Sequence, residues 1–94
     1  MIKSFRHRGV EKFFRAGSKV GIQPKHANKL RLQLFALDNA KSPEDMNAPG
    51  WKLHTLAGDL NDHWAIWVSG NWRLIFRYDE KTNTASDIDL IDYH

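Results

Sequence analysis

The run Asn71-Trp72-Arg73-Leu74-Ile75-Phe76-Arg77-Tyr78, followed by a polar turn and then by Asp87-Ile88-Asp89-Leu90-Ile91-Asp92-Tyr93-His94, decides the fold. Both halves alternate apolar and polar residues, the period of half-buried strands. The pair reads as a hairpin with Trp72, Leu74, Phe76 and Tyr78 on a core face and Arg73, Ile75 and Arg77 on the other. Its last strand ends on a carboxylate, a phenol and an imidazole in a row.

Working outward, the other segments fall around this hairpin. Gly70-Asn71 is a tight-turn signal. It joins the hairpin to a strand over residues 63–69, with Trp64, Ile66 and Val68 on one side. Gly58 to Asp62 is a turn, and residues 51–56 form a further strand. Toward the N-terminus, Pro24 suits the start of a helix that runs to about Ala40, with Ala27, Leu30, Leu34 and Leu37 as its apolar stripe and Phe35 beside it. Val10, Phe13 and Phe14 recur at helical spacing, and Gly17 follows as a C-cap. Ile2 to Phe5 is a short candidate strand. Two helices followed by a run of strands give an α+β domain spanning residues 1–94. The helices pack on one face of a mainly antiparallel, twisted sheet of about four to five strands. The odd-numbered face of the hairpin is expected to stay open as a shallow groove.

Composition narrows the function. There are 94 residues, 41% hydrophobic and 12% aromatic with four tryptophans, and this is the composition of a folded domain rather than a disordered chain. No apolar run approaches the ~20 residues of a membrane helix, and Met1-Ile2-Lys3-Ser4-Phe5-Arg6 lacks the apolar stretch of a signal peptide. With no cysteine, disulfides and thiolate metal sites are excluded, and a reducing cytoplasm is the expected compartment. The five histidines show no paired ligand spacing, so no metal is expected. No phosphate loop, nucleophile elbow or dinucleotide motif is present, so no cofactor is expected. The charge is uneven. Residues 1–37 hold nine Lys and Arg (Lys3, Arg6, Arg8, Lys12, Arg15, Lys19, Lys25, Lys29, Arg31) against Glu11 alone, while residues 38–94 are acidic overall. A basic half of this kind attracts a polyanion such as nucleic acid, or it is simply a solvated helical face.

Several side chains could serve phosphodiester chemistry. Arg73 and Arg77 share the open face, and Lys52 and His54 share one side of their strand. Metal-free RNA cleavage needs a base for the 2′-OH, an acid for the leaving 5′-oxygen and a cation for the phosphorane. Imidazole fits either proton role near neutral pH, and guanidinium fits the third. The ordinary readings stand beside these. His54 as a structural hydrogen-bonder, Arg73 and Arg77 paired with Asp87 and Asp89 across the hairpin, Tyr93 as packing and His94 as a frayed end all agree with the pattern.

Met1-Ile2-Lys3-Ser4-Phe5, Lys52-Leu53-His54-Thr55-Leu56 with Gly58-Asp59, Asn71-Trp72-Arg73 and the closing Asp92-Tyr93-His94 together resemble HigB-type toxins of the RelE superfamily, over essentially the whole chain. The resemblance implies a microbial-ribonuclease-like fold and the toxin of a type II toxin–antitoxin system. It implies an endoribonuclease that cuts mRNA in the ribosomal A site by metal-independent attack of the 2′-OH, against 16S ribosomal RNA, and so inhibits translation and growth. It implies a HigA-type helix-turn-helix antitoxin as partner, with operator DNA reached only through that antitoxin, and no membrane. By position, His54, Arg73, Asp92, Tyr93 and His94 match the family's catalytic group. Asn71 matches a position near the mRNA base, and Lys52 and Arg77 are the further candidates for RNA contact. Some members carry lysine where this chain has Ala57, so Lys52 or Arg77 would have to supply that charge. The alternative is a non-catalytic module of the same superfamily, acting by protein binding as a gyrase-poison-like toxin or an antitoxin-bound corepressor. Strict alternation places Tyr93 with Arg73 but Asp92 and His94 on the opposite side, and a bulge or twist at the strand end would reconcile them.

Overall fold

The computed structural model describes residues 1–93. Two helices, α1 (Arg8–Ala16) and α2 (Ala27–Asn39), precede four strands, β1 (His54–Thr55), β2 (Trp64–Ser69), β3 (Trp72–Asp79) and β4 (Thr84–Asp92). The strands form one antiparallel sheet in the order β1-β2-β3-β4. This is the α+β architecture expected from the sequence.

Each helix forms for a local reason. In α1, His7 caps the N-terminus by accepting the Val10 N–H at 3.0 Å, and Gly17 ends the helix at φ 72°, where only glycine is unstrained. Pro24 starts a 3-10 turn, Pro24–His26, that runs directly into α2. The predicted stripe of α2 is buried, and Gln33 joins it. Phe35 lies off the stripe and is 68% exposed. The core sits between these helices and the face of the sheet that carries Ile66, Val68, Leu74, Phe76, Ile88 and Leu90.

Several expectations are corrected. The strand expected over residues 51–56 is reduced to two residues, because Lys52 takes a left-handed φ of 53° that interrupts the extended backbone ahead of His54. Ile2 to Phe5 makes only isolated parallel bridges to β4, Ile2 with Ala85 and Phe5 with Ile88. The odd-numbered face is not wholly open. Gly58, at φ 71°, turns the chain back so that Leu56 and Leu60 cover Ala65 and Ile75, and Ile75 is only 1% exposed.

Two bulges set the register. On β2, Trp67 pairs with Arg73 but Ser69 with Trp72, so Val68 is the extra residue. Ser69 is thereby brought to the helix side, where its hydroxyl meets buried His26 Nε2 at 2.9 Å. On β4, Ile75 pairs with Asp89 but Arg77 with Ser86, and Asp87 at φ 53° takes up the extra residue. That bulge lets Ala85 and Ile88 both face the core despite their odd separation.

Candidate active site

Asn71, Arg73, Asp92 and Tyr93 lie at one corner of the sheet, around the β2–β3 turn, and Lys52 and His54 approach it from β1 and the segment before it. Gly70, at φ 55°, makes this turn possible, and its carbonyl oxygen is the meeting point of two side chains. It accepts the Trp67 indole N–H at 2.8 Å and Arg73 Nη1–H at 3.1 Å. Arg73 Nη1 also donates to the Trp72 carbonyl at 3.2 Å. These two carbonyls fix the guanidinium through one nitrogen. Nε and Nη2, the adjacent donors of one edge, have no partner among the described residues. That edge is the fork that suits a phosphate.

His54 sits two strands away, paired with Ala65 on β2. From strand spacing, its Cα is about 12 Å from that of Arg73, two ladder steps across and two residues along. The imidazole is anchored through Nδ1, 2.7 Å from the Lys52 carbonyl. A carbonyl can only accept, so Nδ1 is the protonated nitrogen and neutral His54 carries its lone pair on Nε2. Because Lys52 has the left-handed backbone, the same strained residue aims its carbonyl at His54 and its ammonium at Trp67, 5.4 Å from the ring centroid. A continuous path of contacts therefore runs from His54 through Lys52, Trp67 and Gly70 to Arg73.

The C-terminal strand reaches the same corner. The Tyr93 N–H donates to the Asn71 carbonyl at 2.8 Å, which fastens the end of β4 beside the turn. Tyr93 is 41% exposed, and the Asn71 side chain is exposed as well. Trp72 pairs with Asp92, Arg73 with Ile91 and Leu74 with Leu90. The register at this end is regular, and the two bulges lie elsewhere. Asp92 therefore stays in the row of Trp72, and the expected reconciling bulge is absent from residues 90–92. His94 lies outside the described residues.

Arg77 is placed differently. Its Nε is 3.1 Å from Asp62 and its Nη1 is 3.4 Å from Asp87. Asp87 also faces Arg6 at 3.9 Å. The cross-hairpin pairing considered for both arginines is real for Arg77 and absent for Arg73. Asp62 has its carboxyl held below the usual range, first by the hydrogen bond with His63 and then by Arg77. Asp89 turns instead to its own strand, accepting the Leu90 N–H.

Two residues at this corner were not singled out by sequence reasoning. Lys29 Nζ lies 4.0 Å from the Trp67 ring centroid, and Trp67 itself stands next to Arg73 across the ladder. The odd number of Trp67 in the β2 alternation was a usable signal that it leaves the core. Nothing in the sequence connected it to Lys29, 38 residues earlier. Among the described residues, no group of three or more His, Cys, Asp or Glu side chains is placed to hold a metal ion. No helix among them is long and apolar enough to cross a membrane.

Residues 3–94 match the model of the HigB-like toxin family, described as the RelE-like toxin of type II toxin–antitoxin system HigB. The chain is also 34% identical over 94 residues to the protein named Endoribonuclease HigB from Proteus vulgaris, covering 100% of each chain. On these two matches, with which the helix-backed antiparallel sheet agrees, the chain belongs to the HigB-like family of RelE-like toxins of type II toxin–antitoxin systems.

Proposed function

We propose that the protein is the endoribonuclease toxin of its toxin–antitoxin pair and cuts mRNA in the ribosomal A site without a metal. The observation that carries the reading is the contact path from His54 to Arg73. It holds a lone pair and an open guanidinium edge on one side of one sheet corner. A relative that spans the full chain and bears the name endoribonuclease supports it.

In this reading, His54 Nε2 takes the proton of the 2′-OH, and the 2′-oxygen attacks the adjacent phosphorus. Arg73 Nε and Nη2 stabilise the charge of the phosphorane. The bond to the 5′-oxygen breaks, and that oxygen takes a proton from the imidazolium form of His94, which is left neutral. The products are a 2′,3′-cyclic phosphate and a 5′-OH. Tyr93 positions the phosphate, Asp92 orients an imidazole or phenol of the site and Asn71 contacts the base. Lys52 binds the backbone next to His54. Arg77 contacts RNA only by exchanging Asp62 and Asp87 for phosphate, so it contributes least. The antitoxin is of the HigA helix-turn-helix type, operator DNA is reached through it, and the complex resides in the cytoplasm.

The test is cleavage of a defined mRNA with and without programmed ribosomes. Wild type should cut only on ribosomes. His54→Ala should lose about 10²–10⁴-fold in rate, and Arg73→Ala about 10²–10³-fold. No cutting by wild type in either condition would sink the nuclease reading, and equal cutting of naked RNA would sink the ribosome dependence.

A further inference from the structure

Three cations meet around one indole, and among the described residues none is paired with an acid. Lys29 Nζ is 4.0 Å and Lys52 Nζ 5.4 Å from the centroid of Trp67, and Arg73 shares the Gly70 carbonyl with the indole N–H. Among the described residues, no ion pair involves Lys29, Lys52 or Arg73. Elsewhere the protein pairs exposed arginines, Arg15 with Glu11 and Arg77 with Asp62 and Asp87. Like charges gathered without a counterion are costly, and a π-face offsets only part of that cost.

The placement is built from two elements. Gln33 and Lys29 are one helical turn apart on α2, so they share a face. Gln33 donates to the Trp67 backbone carbonyl at 2.9 Å while Lys29 lies over the Trp67 ring. The helix thus holds both the backbone and the side chain of the same residue. On the other flank, the Trp67 N–H donates to the Trp51 carbonyl at 2.7 Å, which brings the 51–54 segment and Lys52 to the ring. Desolvation lowers the pKa of Lys29 from its ordinary value, so its ammonium gains from an incoming anion.

We propose that Lys29 and Lys52, held over Trp67, form a second phosphate subsite that takes a backbone phosphate of single-stranded RNA next to the scissile phosphate at Arg73. The proposal rests on the nuclease reading for its substrate. Trp67 is a positioning residue: both ammonium groups lie against its ring, beside Arg73, until phosphate becomes their partner. Lys29 also supplies, from α2, a charge that Ala57 does not.

The experiment measures binding of a fully 2′-O-methylated single-stranded RNA, which cannot be cut, across a salt series. Wild type is compared with Lys29→Gln, Lys52→Gln, the double variant, Trp67→Phe and Trp67→Leu. The control is Lys81→Gln, in the β3–β4 loop. Each subsite lysine should contribute about 0.7 to the slope of log affinity against log salt, so the double variant should lose about 1.4. Each loss should weaken binding about tenfold, as expected for a charge-assisted hydrogen bond. Trp67→Phe keeps a π-face and should keep most of the slope. Trp67→Leu should lose up to about the same 1.4 as the double variant, and Lys81→Gln should not change the slope. In cleavage assays on programmed ribosomes, Lys29→Gln should raise KM and leave kcat within about twofold. An unchanged slope in the folded double variant overturns the subsite while leaving the nuclease reading intact. A wild type that binds with the full slope but never cuts overturns the nuclease reading while leaving the subsite intact.

Discussion

Lys52 is the residue at which backbone strain and chemistry are most directly tied. Its φ of 53° puts a long side chain in the left-handed region, which costs a non-glycine residue about 1–2 kcal/mol. The same conformation aims its carbonyl at His54 Nδ1, 2.7 Å away. Two substitutions separate backbone from charge, since Lys52→Gln and Lys52→Gly both remove the ammonium but only glycine relieves the strain. Glycine also frees the unfolded chain, which offsets about 0.4–1 kcal/mol. Lys52→Gly should therefore be the more stable of the two by about 1 kcal/mol, or about 4–8 °C in Tm for a domain of this size. Activity should run the other way. The glycine carbonyl is no longer held in place, so His54 loses its fixed tautomer and orientation. Lys52→Gly should cut more slowly than Lys52→Gln. Thermal unfolding by circular dichroism and single-turnover cleavage on programmed ribosomes read the two quantities. If Lys52→Gly is no more stable than Lys52→Gln, the strain is not stored there. If it cuts at least as fast, the carbonyl does not position His54.

Three further outcomes test the surrounding structure. Burial, and then Lys25, lower the pKa of His26 from 6.5, so the unfolded chain binds its proton first. That contribution to stability is present above about pH 6.5 and is lost as pH falls through the lower folded value; a pH series of Tm should show the loss, and His26→Asn should flatten it. Tyr78 donates its hydroxyl to the Ala40 carbonyl at 2.9 Å, so Tyr78→Phe should lower stability by about 1 kcal/mol in urea titration with cleavage unchanged. Among the described residues, removal of Tyr93 and His94 deletes the backbone hydrogen bond from Tyr93 to Asn71, a loss of about 1 kcal/mol, and it should abolish cleavage in the ribosome assay while the protein stays folded.

The elements legible in the sequence are those whose signals are local. The alternation of residues 72–78, the Gly70-Asn71 turn, the Gly17 cap and the α2 stripe each depend on residues a few positions apart, and each appears where expected. The register was not legible, because a bulge is a disagreement between two strands rather than a property of one. Val68 and Asp87 look like ordinary members of their alternating runs, and only pairing with β3 reveals the extra residue. Ile75 was assigned to an open face by the same alternation. It is buried because a glycine at position 58 returns Leu56 and Leu60 to it, a tertiary event that no strand pattern contains. Of the candidate site, the residue types were legible but their partners were not. Arg73 and Arg77 look equivalent in sequence, yet one is tied to carbonyls and the other to carboxylates.

That difference also refines what the basic N-terminal half does. As a sum of charges, it suggests a surface for a polyanion. In the structure its cations have separate fates. Arg15 is paired with Glu11, Arg6 faces Asp87 and Arg31 lies over Phe13. Lys29 alone among these reaches Trp67, because Gln33 on the same helical face has already fastened α2 to the Trp67 backbone. The short β1 matters here as well. Had residues 51–56 formed a full strand, Lys52 would have kept an extended backbone and could not have turned its carbonyl to His54 and its ammonium to the indole together. The broken strand and the helix contact thus bring charge from β1 and α2 to one ring beside Arg73, and it is this local placement, rather than the net charge of the half, on which the proposed phosphate subsite rests.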